Sequence, residues 1–389
     1  MDTADALRDV LRALLTRHCD SAAVRAAAAT PHGYDRGLWS RLCGEVGVAG
    51  LAVPEKYGGA GAGLAETLVA LEELGRVLAP TPMLGSAVVA AQAVLLTGDT
   101  GACERLLPGI AAGSAVAALA WTGPAGDWSV DEVAFRATAA GVLDGEAHFV
   151  LDGDHAGILL AAARSPDGVR LYEVDVTEPG VGREATPALD LTRRLARVTL
   201  RGVPGRQVGD RFPLDRLRDV ACVALAAEQA GAAARALELT VAYARDRVQF
   251  GRAIGGFQAL QHRLADLYVL VESARSACYA AAVPPPELAA AHPPPELAAA
   301  HPPPELAAAD PSPELAAADP SPELAAVAKV HCSETLRQAA AEMIQMHGGI
   351  GITWEHDAHL YFKRAHGSAY LFGSPQSCLS RLADAAIAL

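Results

Sequence analysis

A chain of 389 residues, 51% hydrophobic and 20% charged, is long enough for about two or three packed units sharing a sizeable core. Its formal charge of −13, with 32 Lys+Arg against 45 Asp+Glu and no basic block interleaved with aromatics, excludes nucleic acid as a natural partner. The seven cysteines (19, 43, 103, 222, 278, 332 and 378) form no C-x-x-C pair, which excludes a disulfide frame and a zinc site; they read as core or surface thiols in a reducing compartment.

The opening MDTADALRDVLRALL carries acids and arginines inside its apolar positions, so it reads as an amphipathic helix and not a signal peptide. No apolar run is expected to reach the length of a membrane span, and the expected location is cytoplasmic. Residues up to about 115 look helical, with amphipathic helices over Leu38 to Val46 and Leu64 to Leu78. Between them Pro54, Gly58, Gly59, Gly61 and Gly63 make a turn-rich connector. His18, His32 and the nearby acids show no metal-ligand spacing.

From about Val116 the texture changes to short segments of strand character: 133–138, 147–151, 158–163, 169–174 and 196–200. Gly, Asp and Pro clusters separate them at the spacing of an all-β unit. No G-x-G-x-x-G follows a strand and opens a helix, so a Rossmann nucleotide site is not supported. From about Leu214 helices return, an Ala-rich one over 219–246 and another over 257–282.

Beginning at Pro284 the chain reads PPPELAAAH, PPPELAAAH, PPPELAAAD, PSPELAAAD, PSPELAA, five near-copies at a nine-residue period. Proline costs about 3 kcal/mol inside a helix, so no continuous helix can cross the copies. The expectation is an exposed, semi-rigid, mostly polyproline II excursion with short helical turns. An amphipathic helix resumes over Ala325 to Met346 and stops at His347-Gly348-Gly349-Ile350-Gly351, where the glycines let a ligand or another backbone come close.

The stretch from Tyr243 to Asp266, YARDRVQFGRAIGGFQALQHRLAD, organises the chain. A helix ends, glycines at 251, 255 and 256 punctuate an elbow, and a helical pattern resumes through Phe257, Leu260, Leu264, Leu267 and Val271. Such an elbow can present Arg247, Gln249 and Phe250 together, suited to hold a phosphate by charge and a flat heterocycle by stacking.

R-x-Q-F-G-x-x-I-x-x-F-Q-x-x-Q-H-x-L-A-D resembles the signature of the acyl-CoA dehydrogenase family. QMHGGIG (Gln345 to Gly351) with the following TWEHDAHLYFKRA, VPEKYGGAG (Val53 to Gly61) and ELGR (Glu73 to Arg76) resemble the same family. The resemblance implies an α+β multidomain chain: an N-terminal helical domain (1–115), a middle β-barrel-like domain (116–212) and a C-terminal four-helix bundle (213–389) interrupted by the repeat at 284–326. It implies FAD as cofactor, an acyl-CoA as substrate, a homo- or hetero-oligomer of similar subunits, and an electron-transfer flavoprotein as acceptor. By the same resemblance Arg247, Gln249, Phe250, Ile254, Phe257, Gln258, Gln345, Gly348 and Gly349 match the positions that grip the pyrophosphate and adenine end of a neighbouring subunit's FAD.

The flavin end departs from the family pattern. Where the family reads T-E-P-x-A-G-S-D, this chain has Thr122-Gly123-Pro124-Ala125-Gly126-Asp127; Thr122 is kept and the acid after it is missing. The family's W-I-T/S aligns with Phe149-Val150-Leu151, and a Leu there offers no hydroxyl to a flavin edge. The implied reaction, α,β-dehydrogenation of a thioester, needs a desolvated carboxylate to take the α proton while the β hydrogen leaves as hydride to the flavin. One family position for that base falls on Phe372, the other on Ala221 or Cys222; the catalytic residue is unassigned. Asp219 and Glu228 are the acids nearest that helical face. Glu355, His356, Asp357 and His359 lack a third metal ligand at useful spacing and read as surface or capping groups. The expected role is a base-lacking companion subunit of a heteromeric dehydrogenase. The alternatives are a homotetramer with an atypical base and a flavin-free scaffold.

Overall fold

The computed structural model describes residues 3–131, 133–282 and 320–387. Helices α1 (Thr3–His18), α2 (Ser21–Ala28), α3 (Arg36–Arg41), α4 (Leu64–Arg76), α5 (Ala91–Leu96) and α6 (Thr100–Ala111) form the N-terminal region. Asp20, Asp35 and Asp99 accept backbone N–H groups at the starts of α2, α3 and α6, the capping that ends preceding turns and starts helices here. The helix expected over 38–46 is α3 running into a π-helical turn, Leu42–Val46, which Gly47 stops in the left-handed region. The Glu73–Arg76 stretch ends α4, with Glu73 buried and gripped by Arg12 at 2.7 and 3.0 Å, which locks α1 onto α4.

The middle unit holds β1 (Ala117–Ala120), β2 (Phe135–Ala137), β3 (Val142–Leu151), β4 (Ile158–Ser165), β5 (Gly168–Val174), β6 (Val181–Ala185) and β7 (Leu195–Val208). Two of these carry no strand signal in sequence. β1 is AALA, good helix formers buried on both faces, and β6 is VGREA, a polar edge strand paired only to β7. The pairing order is β1-β4-β2-β3-β7-β5, with β5 also pairing β4. The β3–β7 register slips between Ala147 and Val150, which puts Phe149 at φ 54; a bulge of this kind re-aims a side chain.

The C-terminal region contains α7 (Leu214–Asp246), the strand pair β8 (Val248–Gln249) and β9 (Arg252–Ala253), then α8 (Gln258–Ala282), α9 (Pro322–His347), α10 (Ala358–Ala369) and α11 (Pro375–Ile387). α7 is the axis of the molecule, packing on α4, α8 and α9. It is long and apolar enough to cross a membrane, which corrects the expectation that no such run exists, but 89% of its most apolar window is buried inside this fold. Its crossing with α4 is set by two glycines. A Cβ on Gly75 would meet the Glu228 carbonyl at 2.1 Å, and one on Gly231 the Glu72 carbonyl at 1.9 Å, so any larger residue would push the helices apart.

The repeat copies at 284–319 lie outside the described residues. The last copy is described and corrects the polyproline expectation: Ser321 accepts from the Leu324 amide at 3.4 Å, Pro322 occupies the first turn, and ELAA becomes the start of α9 with Ala325 and Ala326 buried. Serine then proline is a favourable helix start when an amphipathic run follows, and here one does.

Candidate functional site

The elbow is sharper than glycine punctuation alone suggests. α7 ends at Arg247, whose amide still reaches the Tyr243 carbonyl at 2.9 Å. Val248-Gln249 then pairs with Arg252-Ala253 around a tight hairpin turn in which Phe250 (φ 51) and Gly251 (φ 78) are both left-handed. A 3-10 turn, Ile254–Gly256, leads through Phe257 into α8 at Gln258. Phe250 is 91% exposed and meets the half-buried Phe257 edge-on at 6.1 Å, while the Arg252 guanidinium lies 4.0 Å over the Phe257 ring. A large apolar side chain held in left-handed backbone and pointed at solvent costs stability and is a feature of binding sites.

The second motif lands beside the first. His347, buried at the end of α9, stacks on Tyr243 of α7 at 4.2 Å, and the Tyr243 hydroxyl donates to the His347 carbonyl at 3.4 Å. Nine sequence-selected residues therefore share one end of the C-terminal helices: Arg247, Gln249, Phe250, Ile254, Phe257, Gln258, Gln345, Gly348 and Gly349. Arg247, Gln249, Gln258 and Gln345 are exposed, Ile254 and Phe257 half-buried. A Cβ built on Gly348 or Gly349 would meet nothing within 4 Å, so their backbone is open to close approach. An exposed cation, an exposed ring, side-chain amides and accessible backbone fit the pyrophosphate and adenine portion of a dinucleotide.

Thr122 lies apart, in the loop after β1. It is 1% exposed, its hydroxyl accepts from the Trp128 amide at 3.3 Å, and its carbonyl accepts from the His148 amide at 2.9 Å. That hydroxyl closes a turn. Next to it is an aromatic cluster that sequence reasoning missed. Trp128 (φ 56) meets Trp121 edge-on at 5.3 Å and Phe372 (φ 61) at 5.0 Å, all three buried. Phe149 covers Gly126, with Cε2 3.0 Å from where a Cβ would sit. With the Thr122 hydroxyl taken up in this turn and Leu151 carrying none, neither offers a flavin edge a free hydroxyl. Trp128 had no motif to mark it, and only its contact with Phe372, distant in sequence, gives it meaning.

The two sequence positions considered for a base converge. The Cys222 thiol donates to the Phe372 carbonyl at 3.7 Å, and both residues are buried. Of the nearby acids, Glu228 is clamped between Arg193 and Arg364, so both of its guanidinium partners are already in place. Asp219 is buried and bonded to Arg381 at 3.1 Å; burial pushes its carboxyl up to about 6, opposed by Arg218 and Arg381. Asp357 accepts from Ser21 and Arg25 and His356 accepts the Ala358 amide, so this stretch bridges α2 to α10; His359, expected at the surface, is buried. Among the described residues no group of three or more His, Cys, Asp or Glu could hold a metal.

Tyr34, Gly85, Leu151, Asp152, Arg193 and Glu228 line a small cavity of about 20 Å³, room for one water. Burial pushes the Asp152 carboxyl up to about 7 against the pull of His155 and Arg193. A carboxyl raised in the folded state contributes stability that is full below the unfolded pKa of about 3.9 and is lost as pH rises through about 7. Asp152→Asn, which also suits φ 56, is expected to stabilise the protein by roughly 1–3 kcal/mol at pH 8 and little at pH 4. Denaturation midpoints at the two pH values measure this; equal effects at both would refute the assignment.

The family model described as acyl-CoA dehydrogenase, N-terminal domain, matches residues 1–114, and that of the acyl-CoA dehydrogenase C-terminal domain matches 219–301 and 306–387. Acyl-CoA dehydrogenase IpdE2 of Mycolicibacterium smegmatis is 40% identical over 97% of this chain and 96% of its own length. Its Mycobacterium tuberculosis counterpart is 40% identical over 97% and 95%. Among solved structures, a variant of the Tcur3481-Tcur3483 steroid ACAD matches with TM-score 0.81 at 32% identity, covering 98% of this chain and 96% of that one. The ChsE4-ChsE5 complex from Mycobacterium tuberculosis matches with TM-score 0.82 at 26% identity over 99% and 97%.

Proposed function

The chain belongs to the acyl-CoA dehydrogenase family, and on that premise we propose that it is the FAD-completing, base-lacking subunit of a heteromeric acyl-CoA dehydrogenase. One observation carries the reading. The two places to which the resemblance assigns the catalytic carboxylate hold Ala221 or Cys222 and Phe372, and the Cys222 thiol reaches the Phe372 carbonyl. A buried thiol and a phenyl ring cannot replace a carboxylate base, and losing a general base typically costs roughly 100- to 10,000-fold. Two similar solved structures pair different chains, as their names state, which favours a partner that brings the base.

Bound FAD supplies the hydride acceptor for the β hydrogen. This chain's part is grip. Arg247 offers a planar cation to the pyrophosphate, Phe250 a ring face for stacking, Gly348-Gly349 an open backbone, and Gln249, Gln258 and Gln345 amides for the remaining polar edges. Ile254 and Phe257 shape the elbow that holds them. The proposed substrate is a bulky acyl-CoA of steroid-derived type, the proposed acceptor an electron-transfer flavoprotein, and the proposed location cytoplasmic. The division at 1–115, 116–212 and 213–389 belongs to this reading, as do barrel-like closure through the β4–β5 pairing and a C-terminal four-helix bundle.

A second reading has one observation in its favour: Asp219, with its raised carboxyl, as an atypical base in a self-sufficient homotetramer. Flavin absorbance per polypeptide separates the two. No FAD on the chain alone and about one per two chains with a dehydrogenase-like partner, with turnover indifferent to Asp219→Asn, is expected. About one FAD per chain alone, and activity lost in Asp219→Asn, would overturn the companion role. No flavin in any preparation would point to a scaffold.

A further inference from the structure

Three aromatic rings follow one another at the end that presents Gly348-Gly349. The Tyr243 ring of α7 is centred 4.2 Å from that of His347 of α9, and His347 is centred 4.3 Å from His356, in the loop before α10. The Tyr243 carbonyl takes the Arg247 amide at 2.9 Å, and His347 directly precedes Gly348, so the first two rings adjoin both halves of the cofactor-gripping end. The third ring is tied to the N-terminal region. Arg25 of α2 donates to the His356 carbonyl at 3.2 Å and to Asp357 at 2.7 Å, and Ser21 donates to the same carboxylate oxygen. Hydrogen bonds also fix where the protons sit. His356 Nδ1 accepts the Ala358 amide at 3.0 Å, so it carries no proton there, while His347 Nδ1 donates to the Met343 carbonyl at 2.7 Å. A proton added at His356 Nδ1 would orphan the first amide of α10 and set a cation 4.3 Å from the His347 ring.

We propose that His356 is a positioning residue for the cofactor site, holding the His347–Gly349 backbone and, through the His347 stack, the Tyr243–Arg247 end of α7. It acts through the two rings and not by contact with the cofactor. The arrangement needs a neutral imidazole at position 356. Around the pair, α7 brings Tyr243, the loop brings Glu355 and Asp357, and α2 brings Arg25. Beyond Arg25, α10 brings His359, whose Nε2 lies 3.4 Å from that guanidinium, and Lys363. Burial holds both imidazoles below their usual range, against the upward pull of Asp357 on His356 and of the Met343 carbonyl on His347. A histidine lowered in the folded state contributes stability that is full above the unfolded value of about 6.5 and is lost as pH falls below it. The cofactor-gripping end therefore loosens on acidification and FAD affinity falls with it. A histidinium acting only as a charge beside the pyrophosphate would do the opposite and tighten FAD. The inference rests on reading this end as an FAD site, and not on which subunit carries the base.

Equilibrium dialysis of FAD at about pH 7.5 and about pH 5.5 tests this on the full chain, alone and with a dehydrogenase-like partner. One blocking proton on a group titrating near 6.5 should raise the wild-type dissociation constant roughly tenfold between the two. His356→Phe keeps a ring and removes the titration. Its affinity at the higher pH should stay within about threefold of wild type, and its change with pH should shrink to about threefold or less. His356→Ala removes the ring and should weaken FAD roughly three- to tenfold at the higher pH. Affinity that is equal at both pH values or tightens on acidification, a pH change that His356→Phe leaves intact, or wild-type affinity in His356→Ala would overturn the positioning role while leaving the FAD site standing. No FAD on any assembly at the higher pH would overturn both.

Discussion

Replacing Arg247 with glutamate is expected to strip FAD from the assembled complex while leaving assembly and folding intact. Arg247 caps α7 and is exposed, and its side chain makes no ion pair or hydrogen bond among the described residues, so its loss breaks no internal contact. A hydrogen bond from a charged donor to a charged acceptor is worth about 1.5–3 kcal/mol, and reversal adds repulsion from the pyrophosphate. Together these weaken FAD retention by roughly 100-fold or more. Arg245→Glu is the control, an exposed arginine on the same helix carrying the same charge change. Equilibrium dialysis of FAD against both variants decides the matter: equal losses would mean bulk electrostatics, and no loss in Arg247→Glu would remove this residue from the cofactor site. Phe250→Ala is a milder companion, expected to lose stacking without charge.

Much of this was legible because the informative residues are local. The elbow motif and the Gln345–Gly351 stop are contiguous stretches whose glycines and helix periodicity mark turns between helices. Their convergence through the Tyr243–His347 stack follows once α7 and α9 pack side by side. The helical, β, helical order was equally readable from texture. β1 and β6 were not, since burial of a short Ala-Leu run and pairing at an exposed polar edge are decided by neighbours distant in sequence. The aromatic cluster was invisible for a related reason. Trp128, Phe149 and Phe372 each adopt left-handed backbone that bulky residues avoid, so local preference predicts against the conformations that bring them together.

Arg364→Met is expected to be the most destabilising single change, for a reason that has nothing to do with redox chemistry. Arg364 lies on α10, inside the motif that follows the glycine stop, and is 3% exposed. It donates to Asp190 at 2.7 Å, to the Thr192 hydroxyl at 2.7 Å and carbonyl at 3.0 Å, and to Glu228 of α7. One side chain thus joins α10, α7 and the loop between β6 and β7. Removing it leaves Asp190 buried without its principal cation, a cost of about 3–5 kcal/mol. The pH dependence identifies the cause. Burial would raise the Asp190 carboxyl, but Arg364 and Arg193 hold it below its ordinary value, so the wild type gains stability above pH of about 3.9 and loses it as pH falls through the folded value. Without Arg364 burial dominates and the sign reverses, so the gap between variant and wild type should narrow as pH drops toward 4. A gap that stays constant with pH would mean lost packing and not an orphaned charge. Combining Arg364→Met with Asp190→Asn should recover most of the loss, since Glu228 keeps Arg193 as its cation and a buried ion pair exchanged whole for neutral groups is often near neutral in stability. Such recovery would mean that the cluster specifies how the helical and β regions dock, and that the net stability of the dock comes from the apolar surface around it.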